Sequence, residues 1–116
     1  MDAQQIFDTV VAHLNKQGHP ARNVGGDCMY LAPNGDMCAV GCLLGDTYDP
    51  QMEGGVVAEL VSEYELPFGQ HVELLTSLQC AHDYCIDVKD LNAALVSIAK
   101  RYNLQFDQRN ITNWQR

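Results

Sequence analysis

Apolar residues recur at three- and four-residue spacing in several stretches separated by turn chemistry, so the chain reads as a succession of amphipathic helices. Ile6, Phe7, Val10, Val11 and Leu14 make one stripe over residues 2–17, with Asp2 as N-cap and Gly18 then Pro20 as the stop. Asp49-Pro50 sets a capping side chain before a proline at the first helical position, but Gly54-Gly55 limits any helix there to a turn. A helix over about 55–65 then carries Val56, Val57, Leu60, Val61 and Tyr64 on one face, and Pro67 closes it. The next, about 68–84, turns Val72, Leu74, Leu75, Leu78 and Ala81 inward. Asp87 reads as the N-cap of a last helix, 88–102, with Val88, Leu91, Leu95, Ile98 and Tyr102 in register and Asn103 as its C-cap.

One segment reads differently. Cys28 to Leu31 is a short strand, Pro33-Asn34-Gly35-Asp36 is turn chemistry because Asn and Gly tolerate positive φ, and Met37 to Val40 returns, which predicts a β-hairpin over about 28–40. The expected architecture is therefore α+β: a mostly helical single domain, four or five helices packed on that hairpin, spanning residues 1–104. Residues 105–116 read as a polar C-terminal tail, apolar only at Phe106, Ile111 and Trp114.

Size supports one core, since 116 residues at 47% hydrophobic content are too few for two. Charge changes the picture more. The chain carries −8 overall, and residues 27–90 hold twelve Asp or Glu against Lys89 alone. That field repels phosphate backbones, which argues against direct nucleic-acid binding and steers the protein toward a basic partner surface. The same acids also serve solubility. The start, Met1-Asp2-Ala3-Gln4-Gln5, lacks the basic-then-apolar pattern of a secretion signal, and no apolar run approaches the length of a membrane span. With an odd number of cysteines, five, this predicts a cytoplasmic protein with reduced thiols.

All five cysteines and the one adjacent His-Asp pair fall in two short windows, Cys28 to Cys42 and Cys80 to Cys85. Three chemistries fit them. In a thiol enzyme, Cys38 at a strand end would be the nucleophile, His82 its base and Gly41 a source of an oxyanion donor. Asp83 would orient His82, although a neighbouring residue on a helix points about 100° away. In a zinc site the ligands would be Cys38, Cys42, His82 and Cys85, at spacings unlike those of compact zinc knuckles. In the third reading the thiols are small buried hydrophobes, and no metal or cofactor is needed. The sequence leaves these open. His13, His19 and His71 have no partner spacing, and the aromatics Tyr30, Tyr48, Tyr64 and Trp114 suit a core, a rim or a protein-binding patch.

Cys28-Met-Tyr30, Asn34-Gly35, Cys38-Ala-Val-Gly41, Tyr48-Asp-Pro50, Met52-Glu-Gly54, Leu78-Gln79 and His82-Asp83 together carry a resemblance. Over roughly residues 6–104 the chain resembles a group of small uncharacterised bacteriophage and prophage proteins, in which these segments recur. The resemblance marks Cys28, Cys38, Gly41, Glu53 and His82-Asp83 as positions of interest and brings no activity with it. Cys42, Cys80 and Cys85 fall outside the shared pattern. Small acidic phage proteins often bind and block a host or antiviral-defence protein, some of them nucleic-acid-binding, and that is the function the resemblance implies. The helix at 55–65, with Glu59, Glu63 and Glu65, is the most concrete surface for such a partner. A homodimer through an apolar helix face suits a domain of this size, though no residue specifies it.

Overall fold

The computed structural model describes residues 1–66, 68–107 and 110–116. Among these residues five α-helices follow in order: α1 Ala3–Gln17, α2 Gly41–Leu44, α3 Val57–Glu63, α4 Val72–Tyr84 and α5 Val88–Arg101. Single 3-10 turns at Gly45–Thr47, Pro50–Met52 and Gly69–His71 join them. Pro67, expected to close the third helical stretch, lies outside the described residues.

Helices α1 and α5 start where the sequence supplies a cap, whereas α4 follows His71 with no capping side chain. Asp2 accepts from the Gln5 backbone N–H at 2.8 Å while the Gln5 side chain accepts from the Asp2 N–H at 2.9 Å, a reciprocal capping box. Gly18 ends α1 in the left-handed region, φ 77°, with its N–H on the Leu14 carbonyl. Asp87 caps α5 through the Asp90 N–H at 2.8 Å, and Asp49 caps the Pro50–Met52 turn through the Gln51 N–H at 2.9 Å. The expected stripes face inward: Ile6, Phe7, Val10, Val11 and Leu14 of α1, Leu74, Leu75, Leu78 and Ala81 of α4, and Leu91, Leu95 and Ile98 of α5 are all buried. Helix α4 is the hub, packed against α1, α3 and α5.

The expected β-hairpin is corrected. Among the described residues there is no strand and no sheet, and the regular structure is helical, apart from isolated bridges. The Asn-Gly turn itself forms, with Ala32 N–H on the Asp36 carbonyl at 2.8 Å and Gly35 at φ 94°, and one antiparallel bridge joins Leu31 to Met37. Pairing stops there because the groups that would extend the ladder are taken elsewhere: the Tyr30 N–H by Glu53, the Cys38 carbonyl by the Cys42 N–H and the Val40 N–H by Gln79. Tyr30 N–H and Leu31 N–H go to the two carboxylate oxygens of Glu53, at 2.9 and 3.1 Å. Cys28 bridges back to Arg22 across the turn at Asn23–Asp27 instead of forward to residue 40. The returning chain then coils into α2 at Gly41, where a Cβ would sit 1.8 Å from the Tyr30 carbonyl oxygen, so only glycine fits.

The C-terminal segment returns to the domain. Ile111 and Trp114 are buried, and the Trp114 indole N–H donates to the Cys85 carbonyl at 2.9 Å. Gln115 N–H reaches the Gly18 carbonyl and Arg116 N–H the Ile86 carbonyl, so this segment straps the end of α1 to the turn between α4 and α5. A radius of gyration of 13.2 Å fits one compact unit of this length, for which about 13 Å is expected.

Candidate functional site

Gln79, His82 and Asp83 share one face of α4 through three- and four-residue spacing, and the fold brings Cys28 against that face. His82 is fully buried. Its Nδ1 lies 2.6 Å from Asp83 Oδ1, and its Nε2 accepts the Ala21 backbone N–H at 2.9 Å. A backbone N–H can only donate, so Nε2 carries no proton and Nδ1 is the nitrogen that donates to Asp83. Asp83 Oδ1 also accepts from Gln79 Nε2 at 3.1 Å, and the Gln79 carbonyl oxygen accepts the Val40 N–H at 3.1 Å. The Cys28 thiol stands beside this pair, within 4.8 Å of its ligand atoms; burial first, then the Asp83 carboxylate, push it above the usual thiol range.

This assembly ties three loops to α4. Its chemistry follows from the hydrogen bonds. A histidine acting as base toward a thiol needs a free nitrogen lone pair facing that thiol, and the lone pair of His82 faces Ala21 instead. Asp83 accepts from His82 Nδ1 and Ala21 N–H occupies Nε2, so no imidazole nitrogen is free to stand between the Cys28 thiol and the carboxylate as a relay requires. The neighbour's angular offset of about 100° on a helix does not keep Asp83 from His82, because Nδ1 lies on the backbone side of the ring within reach of a short carboxylate.

Cys38 lies apart from this arrangement among the described residues. It is fully buried, its sulfur accepts the Gly41 N–H at 3.3 Å, and burial pushes the thiol up to about 12. Gly41 N–H thus serves that sulfur and is not turned toward an open site. Cys42 donates to the Ala39 carbonyl at 3.1 Å and is pushed up to about 12, and Cys85 donates to the Asp90 carbonyl at 3.8 Å and is pushed up to about 11, burial being the largest cause for each. All five cysteines are free thiols.

Among the described residues Cys38, Cys42, His82 and Cys85 do not converge; the one close group of ligand atoms is Cys28, His82 and Asp83, mutually within 4.8 Å. A metal does not fit that group as it stands. The Nδ1–Oδ1 separation of 2.6 Å is a hydrogen bond, shorter than two atoms on one zinc tolerate. Binding at Nδ1 would also move the ring proton to Nε2, against the Ala21 N–H.

Outside the cluster lies a cleft of about 310 Å³. One wall is the segment Cys28 to Tyr30, a second is α4 from Thr76 to Tyr84, and Glu53 to Val57 forms the third. Glu53 organises it: besides its two backbone bonds it accepts the Tyr48 hydroxyl at 2.7 Å, while the Tyr30 hydroxyl donates to the Gly55 carbonyl. Val56 is 61% exposed and Tyr84 71%, leaving two large apolar side chains at the rim. Sequence reasoning missed Ala21, Gln79 and this rim; only the Gln79-to-Asp83 spacing of four could have signalled part of it.

On the neighbouring surface Glu59 and Glu63 of α3 and Glu65 just beyond it are exposed. Among the described residues, Asp107 aside, the ion pairs are His19–Asp36 and His82–Asp83, so the three glutamates have no cationic partner. No helix among the described residues is long and apolar enough to cross a membrane. Comparison with protein-family models, with characterised proteins and with solved structures finds no match to this chain.

Proposed function

We propose that this chain is a phage-type accessory protein that acts in the cytoplasm by binding, and thereby inhibiting, a host or antiviral-defence protein through its acidic surface. The observation that carries the reading is the exposure of Glu59, Glu63 and Glu65 without a compensating cation among the described residues, within a stretch holding twelve acids and one lysine. Uncompensated carboxylates on one face repel one another and lower the energy of a complex in which a basic surface covers them. The inward commitment of Cys38 and of both His82 nitrogens fits a binding role better than thiol chemistry. Five free thiols suit a reducing compartment.

The test is affinity capture from host lysate with the wild-type protein and with the triple reversal E59K/E63K/E65K. All three positions are exposed, so the variant should fold; circular dichroism checks it. A protein retained by wild type, lost by the variant and released by salt is the expected result. Equal retention by both proteins would refute the reading.

A further inference from the structure

We infer that the cleft between the Cys28–Tyr30 segment, Glu53–Val57 and α4 is the anchor pocket for an arginine side chain of that partner, an inference that rests on the acidic-surface reading above. Among the described residues the cleft is lined by two carboxylates, Glu53 and Asp83, and by no lysine, arginine or histidine. Arg22 and Arg116 lie close enough to influence the Cys28 thiol, yet neither lines the cleft and neither forms an ion pair with Asp83. Among the described residues neither carboxylate of the cleft is ion-paired to a lysine or arginine.

Lone-pair arithmetic sets what kind of cation fits. A carboxylate offers about four acceptor directions. Glu53 gives three of them to Tyr30 N–H, Leu31 N–H and the Tyr48 hydroxyl. Asp83 gives two to Gln79 and His82, with the Cys28 thiol close by. Each keeps room for a further donor, which suits a guanidinium with several N–H groups spread in a plane better than a compact ammonium that needs a full shell of acceptors. Around the carboxylates the walls are apolar and aromatic: Met29, Tyr30, Val57 and the exposed rim pair Val56 and Tyr84. Such walls take the aliphatic stem of an arginine and offer ring faces on which its weakly hydrated head group stacks.

The pocket is continuous with the proposed acidic surface. A Cβ on Gly55, a lining residue, would lie 3.5 Å from Glu59 Oε2, so one acid of α3 already stands at the mouth. At about 310 Å³ the space is at the small end for a binding pocket, the size of one anchoring side chain with its neighbours rather than an extended ligand.

The experiment titrates isotope-labelled full-length protein with the peptide acetyl-Ala-Leu-Arg-Leu-Ala-amide and with the same peptide carrying citrulline or lysine in place of arginine. The expected result is that arginine moves the amide signals of Gly54, Val56 and Tyr84, that citrulline binds at least about tenfold more weakly, and that lysine falls between them. T76R, at an exposed position lining the cleft, should abolish the response by occupying the pocket with its own cation while leaving the fold intact. D83N should weaken arginine binding about tenfold as well. Equal binding of arginine and citrulline, shifts confined to Glu59, Glu63 and Glu65, or an unchanged response in T76R would each overturn the inference. The two readings fail separately: capture lost in the triple reversal with no arginine response in the cleft sinks only the pocket. An arginine response with capture unaffected by the reversal sinks only the acidic surface.

Discussion

Removing the Glu53 carboxylate should loosen the wall of the cleft and reveal what replaced the hairpin. In E53A, Tyr30 N–H, Leu31 N–H and the Tyr48 hydroxyl lose acceptors now held at 2.9, 3.1 and 2.7 Å. Tyr30 is buried, so water cannot take over its N–H without opening the loop. A buried donor left without a partner costs about 1–3 kcal/mol, and hydrogen bonds to a charged acceptor sit in the upper part of that range. Leu31 is half-buried and Tyr48 likewise, so their donors recover part of the loss from solvent. The expected destabilisation is about 3 kcal/mol, which for a domain of this size lowers Tm by roughly 10–20 °C. Urea denaturation followed by circular dichroism measures it, with E59A as the control that should stay within about 0.5 kcal/mol of wild type. A loss below about 1 kcal/mol in E53A would show that this carboxylate does not hold the loop, and would remove the explanation for the missing ladder.

Three further outcomes follow from the thiols and from α2. Mass-resolved alkylation of the native protein should label the exposed Cys80 and Cys28, with Cys28 the slower because its thiol is held above the usual range; Cys38, Cys42 and Cys85 should label only on unfolding, and fast labelling of Cys38 would contradict its placement. Stability should fall as pH rises from about 9 toward about 12. In that window unfolded thiols release protons that folded Cys38 and Cys42 keep, at up to about 1.4 kcal/mol per pH unit for each group, and C38A should make the decline shallower. A flat profile above pH 9 in denaturant titrations would count against these raised thiols. Finally, G41A should fail to fold or lose at least about 3 kcal/mol, because its Cβ would meet a backbone oxygen that cannot step aside; near-normal stability would refute the close approach of Tyr30 to α2.

The helices were legible because the information that makes them is local. Asp2, Asp49 and Asp87 cap through bonds two or three residues long, and the apolar stripes need only the period of the helix. What defeated the reading at residues 28–40 is non-local. The Asn34-Gly35 turn forms as its residues demand, yet whether strands grow from it depends on where the Tyr30 N–H finds its acceptor. That acceptor is Glu53, more than twenty residues on. The site divides in the same way. Gln79, His82 and Asp83 lie on one helix face by spacing alone, whereas the tautomer of His82 is set by Ala21, on the far side of a sixty-one-residue separation. Cys38 and Cys28 occupy similar sequence contexts, and only burial tells them apart: the former is sealed under α2, the latter opens on the cleft.

The acidic surface is the claim on which the functional account stands, and paired capture from host lysate with wild type and E59K/E63K/E65K tests it most directly. The account predicts one protein, retained in stoichiometric amount by wild type, eluted by raised salt and absent from the charge-reversed variant. Retention of the same protein in the same amount by both, indifferent to salt, would contradict it.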